Sequence, residues 1–195
     1  MFRDGPLTRR KPETIRYATG RCALGALLVA WSGKGIVSIM VREVPSALMR
    51  DLRRRFPKAE LVQDDHTTVA KVARYIAAPF GPFPLPLDIR GTALQQRVWS
   101  EVRKIPFGET STYSKIAEAI GNPRAIRAVA NSCSRSWFAF AVPCHRVLHK
   151  GGATAQKRRG RQYRWVDYEA KLAAKRRGRE ATIPSRPASL RRAGR

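Results

Sequence analysis

Acidic side chains are scarce in this sequence: 14 Asp and Glu stand against 39 Lys and Arg, a formal net charge of +25. A field of that sign disfavours cationic partners and concentrates polyanions, so nucleic acid is the first partner class to consider. A solvated basic tail explains part of the excess, since Lys150–Arg195 holds 15 basic and 3 acidic residues, but +13 remains on the rest of the chain. Cysteine is rarer still. Cys22, Cys133 and Cys144 are too few for a disulfide framework, and no Cys-x-x-Cys pair suggests structural zinc. No apolar run approaches the ~20 residues of a membrane helix. The opening "MFRDGPLTRRKPE" has no apolar core of the kind a secretory signal carries. The expectation is a protein of a reducing compartment, the cytoplasm, with no membrane partner.

The chain has 195 residues, 43% of them hydrophobic, which is enough to bury a real core. Cys22–Val41 reads as two strands around a tight turn at Ser32–Gly35, and "AELV" (59–62) as a third. Leu48, Met49, Leu52 and Phe56 recur at helical spacing between two prolines; Val69, Val72 and Ile76 mark a second helix. "APFGPFPLPLD" (78–88) places four prolines in eleven residues, which favours extended chain and marks a domain junction. Beyond it a helix starts from a Thr92 cap, with Leu94, Val98, Trp99 and Val102 inward. "STYSKIAEAIGNPRAIRAVANSC" (111–133) predicts two short helices around a break at Gly121-Asn122-Pro123, a helix-turn-helix pattern. The second helix carries Arg124 and Arg127 but otherwise small residues, among them Ala125, Ala128, Ala130 and Ser132. Major-groove readers usually present long polar side chains to base edges. Small residues instead permit close backbone approach, to another helix or to the floor of a narrow groove. "YRWVDYEAKLAAKRR" (163–177) follows a basic loop and fits a last helix, with Trp165, Tyr168 and Leu172 on one side. The organisation expected is a basic leader (1–13), an α/β domain (14–77), a proline-rich linker (78–88), a helical domain (89–176) and a disordered basic tail (177–195).

The adjacent Cys144 and His145, in "AVPCHRVL", admit four readings. An inert thiol would be ordinary, since free cysteine is often buried. Zinc lacks partners, with only His66, His145 and His149 in the chain and the other cysteines distant in sequence. A cysteine protease needs local signatures that are absent. A nucleophile in a DNA-binding frame fits best: thiolate is the reactive form, and a nearby histidine can take its proton.

"LDIRGTALQQRVWSEVRKIPFGETSTYSKIAEAIGNPRAIRAVANSCSRSWFAFAVPCHRVL" (87–148) resembles the catalytic domain of the O6-alkylguanine-DNA alkyltransferases, the methylated-DNA–protein-cysteine methyltransferases. The similarity reaches back to Thr14, and the combination of Pro-Cys-His-Arg with "GETSTY" and "RAVANSC" is specific. Some bacterial members open with a cysteine-rich zinc domain that has no counterpart here, so a stand-alone repair domain is expected. The resemblance implies an α+β fold, with a small N-terminal α/β (ribonuclease H-like) domain followed by a mainly helical, winged-helix-like domain carrying the reactive cysteine. It implies stoichiometric, cofactor-free and metal-free transfer of an alkyl group from O6-alkylguanine, with O4-alkylthymine a further candidate, to Cys144. His145 is then the base, acting through water, and Tyr113 rotates the nucleotide and stabilises the departing guanine. Arg127 is the arginine finger that fills the gap in the stack, with Arg124 and Ala128 beside it against DNA. The implied partner is double-stranded DNA with alkylated bases, bound by a monomer.

The sequence departs from the family pattern at three places. Ser136 replaces an asparagine that braces the active-site turn; "GGATAQKRRGRQ" is long and basic; and Val166 stands in place of the glycine of the usual Trp-Gly. The carboxylate that orients the histidine falls to Glu169 or Glu180, and Arg146 to fixing the loop or contacting the partner domain. Two alternative functions accompany this reading: a sensor that flips damaged bases without transfer, and a regulator reading the major groove. Sensors of that kind typically lack the reactive cysteine. The basic stretches, Lys157–Arg161 and the residues after Lys175, are candidates for phosphate contact.

Overall fold

A computed structural model describes residues 12–150 and 161–182, with the backbone alone at 161–163 and 178–182. Strands β1 (Thr14–Cys22), β2 (Gly25–Ser32), β3 (Gly35–Arg42) and β4 (Glu60–Gln63) form one sheet in the order β3-β2-β1-β4. β1 pairs antiparallel with β2 and parallel with β4, and β2 pairs antiparallel with β3. Helices α1 (Ser46–Arg55) and α2 (Thr67–Ala77) cover its two faces. Leu48 and Leu52 of α1 bury against Ile15, Leu28 and Met40, while Val69, Val72 and Ile76 of α2 bury against Ala18, Leu27 and Val29.

β1 is absent from the sequence expectation, which begins the sheet at Cys22. This strand is central and buried on both faces, so Ile15 and Ala18 point opposite ways and the apolar/polar alternation of a half-buried strand is lost. Gly20 adds to the disguise. A Cβ there would lie 2.5 Å from Val69 Cγ1, so the glycine permits α2 to lie close on the strand.

β3 is an edge strand, and an unpaired edge must be covered. The proline-rich segment covers one part: Ile36 N–H donates to Pro86 O (2.8 Å) and Asp88 N–H to Ile36 O (2.8 Å). The turn that leads to Cys144 covers the next, with Ile39 N–H donating to Trp137 O (2.6 Å) and Ala139 N–H to Ile39 O (3.1 Å). The turn that leads to Cys144 thus hangs on the sheet edge. Behind it lie α3 (Ala93–Arg103), β5 (Ser111–Thr112), α4 (Tyr113–Ala119), α5 (Ile126–Ser134), β6 (Val147–Leu148) and α6 (Arg161–Thr182). β5 pairs parallel with β6.

One buried cluster runs from Ala18, Val29 and Ile39 of the sheet through Val72 to Val98, Val102, Ile116, Val129 and Phe138. Mixed α and β structure, with six α-helices among the described residues, therefore shares a continuous core across the proline-rich segment. Helix α6 continues to Thr182, so the tail expected from 177 begins within a helix; Trp165, Tyr168, Glu169 and Ala173 tie its first turns to the core, and helical spacing carries the pattern on. The rest of that tail, the basic leader through Lys11, and most of the basic loop (151–160) lie outside the described residues. Among the described residues no helix is long and apolar enough to cross a membrane.

Candidate active site around Cys144

Two capped helices set the frame. At the start of α3, Thr92 Oγ1 accepts from Gln95 N–H (3.3 Å) while Gln95 Oε1 accepts from Thr92 N–H (3.0 Å), a reciprocal capping box. Thr112 caps α4 by accepting from Lys115 N–H (3.2 Å), which fixes Tyr113 as the first residue of that helix. α4 closes at Gly121, whose φ of +72° lets its N–H reach Glu118 O (2.8 Å) and Asn122 N–H reach Ala117 O (2.9 Å). Pro123–Ala125 then makes one 3₁₀ turn, and α5 starts at Ile126, two residues later than the sequence suggests, because the proline-led turn consumes Arg124 and Ala125.

α5 buries Val129, Ser132 and Cys133 and leaves Arg127 exposed, with Ala128 half-buried and Arg124 exposed on the preceding turn. Trp99 Nε1–H donates to Ser132 O (3.0 Å), locking α3 against α5 at the level of the site.

Cys144–Arg146 forms a 3₁₀ turn, with Cys144 half-buried and His145 and Arg146 buried. His145 Nε2–H donates to Glu169 Oε1 (2.9 Å), and Arg146 binds the same carboxylate through Nε to Oε2 (2.8 Å) and Nη2 to Oε1 (2.8 Å). Arg146 Nη1 also donates to Ile105 O (2.7 Å), so this side chain fixes the loop as the sequence suggests. A carboxylate only accepts, which places the proton of neutral His145 on Nε2 and leaves a lone pair on Nδ1. Nδ1 is buried and has no hydrogen-bond partner among the described residues. Burial pushes His145 below its ordinary pKa, outweighing the Glu169 carboxylate that raises it. Burial also works to raise Glu169, but the hydrogen bonds from His145 and Arg146 together hold it below the ordinary carboxylate value.

Of the two carboxylates expected from the sequence, Glu169 is the one that meets His145. Glu180 follows 11 residues later, about 16 Å further along the helix axis. Trp165, Glu169 and Ala173 recur every fourth residue, but Glu180 falls on the same stripe by spacing, so periodicity alone does not choose between the two carboxylates.

A cavity of about 370 Å³ opens at Cys144, lined among others by Tyr113, Cys133, Ser136, Trp137, His145 and Trp165. Phe140 backs it, with its ring centroid 4.9 Å from His145 and 5.0 Å from Trp165. Its backbone is left-handed, φ 63°, a conformation that costs a non-glycine residue about 1–2 kcal/mol and is held here by a fully buried ring. Nothing in the sequence signals it. Tyr113 packs edge-on against His149 (4.9 Å), and Ser136 Oγ accepts from Phe138 N–H (3.4 Å) inside the turn. Trp137 is braced by Arg55 of α1, whose guanidinium lies 5.7 Å from its ring centroid. Sequence reasoning missed Trp137 and Cys133 as cavity residues. Cys133 belongs to a helix whose facing partner is invisible until the chain folds back.

Fold and cavity define a mixed α and β protein in which a cysteine and a buried histidine, the latter held by a glutamate, share one pocket beside two paired helices. The family model "6-O-methylguanine DNA methyltransferase, DNA binding domain" matches residues 93–174. A methylated-DNA–protein-cysteine methyltransferase of Mycobacterium bovis is 44% identical over 138 residues, covering 71% of this chain and 81% of the relative. The bifunctional transcriptional activator/DNA repair enzyme Ada of Escherichia coli is 41% identical over 162 residues, 81% of this chain. The match spans less than half of that protein, 44% of its length. The crystal structure of Mycobacterium tuberculosis OGT in complex with DNA is similar with a TM-score of 0.64 at 30% identity, covering 80% of this chain and 93% of that one. The chain belongs to the methylated-DNA–protein-cysteine methyltransferase family.

Proposed function

We propose that the protein repairs alkylated DNA by moving one methyl or alkyl group from O6 of guanine to Cys144, once per molecule. The observation that carries this reading is the partly open thiol of Cys144 in a cavity backed by the His145–Glu169 pair. Glu169 orients the imidazole, His145 Nδ1 takes the Cys144 proton through a water, and the thiolate attacks the alkyl carbon. The carbon–O6 bond breaks as the carbon–sulfur bond forms, and the departing guanine is stabilised by Tyr113. A thioether is too poor a leaving group to return the thiol, so the protein is consumed.

The target atom is out of reach inside a duplex, and flipping the nucleotide costs a few kcal/mol of unstacking. In this reading α4 and α5 act as a helix-turn-helix on the minor groove, with Ala128 allowing close approach and Arg124 near the phosphates. Arg127 fills the vacated stack. Ser136 serves where the family usually has asparagine, closing the turn through Phe138 N–H. The part before residue 78 is read as a ribonuclease H-like unit, residues 78–88 as a linker and the part after it as a winged-helix-like catalytic unit, acting as a monomer on double-stranded DNA in the cytoplasm.

Intact-mass analysis after mixing with a duplex bearing one O6-methylguanine tests this. A single methyl on the Cys144 peptide, absent in Cys144→Ala, is the expected result. Tight lesion binding with no mass gain would replace transfer by damage sensing.

A further inference from the structure

Transfer uses one thiol, yet the cavity holds two. Cys133 lies near the end of α5, 92% buried, and lines the same pocket as Cys144. The side chain of Cys144 beside it, together with burial, pushes the Cys133 thiol well above its ordinary pKa. Cys133 therefore rests as a protonated thiol in the same cavity as the acceptor sulfur. Both are held in place: Trp99 anchors the neighbouring Ser132 carbonyl, and Cys144 N–H donates to Val142 O (2.8 Å). The proposed transfer gives Cys133 no task.

We propose that Cys133 is a resolving thiol that converts oxidised Cys144 into a reversible Cys133–Cys144 disulfide. Hydrogen peroxide is the oxidant. Cys144 Sγ attacks one peroxide oxygen, the O–O bond breaks, and a sulfenic acid forms with release of water. Cys133 Sγ then attacks Cys144 Sγ; the S–S bond forms, the S–O bond breaks, and hydroxide leaves as water with the Cys133 proton. Two thiols lose two electrons in all, and the peroxide becomes two waters. A dithiol reductant reverses the bond by exchange. The consequence matters for a single-use protein, because a sulfenic acid left alone proceeds to sulfinic acid and the acceptor is lost without repair. This inference rests on Cys144 being the acceptor.

The test uses the full chain, treated with limiting hydrogen peroxide, alkylated to trap free thiols, and digested with trypsin without reduction. Cleavage after Arg127, Arg135 and Arg146 separates the two cysteines into different peptides. The expected product has lost two hydrogens and carries residues 128–135 linked to 136–146. Dithiothreitol then restores methyl acceptance to its untreated level. In Cys133→Ser the same treatment gives sulfinic acid at Cys144, and acceptance does not return to that variant's own untreated level. Wild-type protein that accumulates oxygen on Cys144 without the cross-link, or that links Cys22 instead, overturns the proposal. Untreated protein run in parallel keeps the two readings apart. Failure to accept methyl before oxidation sinks the transfer reading, whereas normal acceptance with no cross-link sinks only the disulfide.

Discussion

His145 and Glu169 stand 24 residues apart in sequence and 2.9 Å apart in space, both almost wholly buried. The same carboxylate also neutralises Arg146, so one acidic residue settles the tautomer of the imidazole and the charge of the guanidinium beside it. In a chain this poor in acid, α6 spends one of its few carboxylates inside the fold.

The pH dependence follows from the signs. His145 and Glu169 both have folded pKa values below their ordinary 6.5 and 4.5. The unfolded chain therefore takes up protons first on acidification. Stability is fully present above about pH 6.5 and falls below it, with Glu169 adding to the loss below about pH 4.5. Thermal midpoints measured between about pH 7.5 and 5.5 should fall for the wild type and fall less for His145→Gln. Because the imidazole stays neutral to lower pH, the acid limb of the single-turnover rate should lie below pH 6.5. A limb above that value would remove His145 as the base.

Glu169→Gln leaves Arg146 buried without a counter-charge and lets His145 adopt the other tautomer. Breaking a buried pair of this kind costs about 3–5 kcal/mol. The transfer rate of the folded fraction should drop on the order of a hundredfold, as for loss of a positioned base. Denaturant unfolding and single-turnover kinetics on one preparation check both. A stability loss with an unchanged rate would confine Glu169 to holding Arg146.

Arg127→Ala separates base flipping from chemistry. Arg127 is exposed on α5 and does not line the Cys144 cavity. Transfer from duplex should slow by about tenfold to a hundredfold, since part of the unstacking cost is no longer offset. Transfer from free O6-methylguanine base should keep its rate. Equal losses on both substrates would mean that Arg127 supports the cavity rather than the DNA.

Gly20→Ala places a methyl group against Val69 Cγ1, a stiff branched side chain on a buried helix face. Overpacking of this kind costs about 1–3 kcal/mol. Adding Val69→Ala should recover part of that loss, giving a double variant more stable than the two single effects sum to. Additive losses would mean that α2 shifts as a body instead.

The sequence by itself determined the local elements whose signals are local. The Thr92 cap, the prolines at 79–86, the Gly121-Asn122-Pro123 break and the apolar stripe of α2 are all legible, because capping, turn geometry and helical periodicity act over a few residues. The motif around Cys144 and His145 was legible through its resemblance to a family, as were Tyr113 and Arg127. Tertiary structure decided what depends on long-range partners. β1 hid its alternation because both of its faces are buried. Glu169 and Glu180 share a stripe of α6, and only the path of that helix past the Cys144 turn brings Glu169 to His145. Phe140 holds a left-handed backbone because His145 and Trp165 close on its ring, and Cys133 and Cys144 line one cavity because the turn at 135–143 folds back along the edge of β3. Contacts between residues distant in the chain depend on how all the intervening elements pack, and no local pattern in the sequence encodes that.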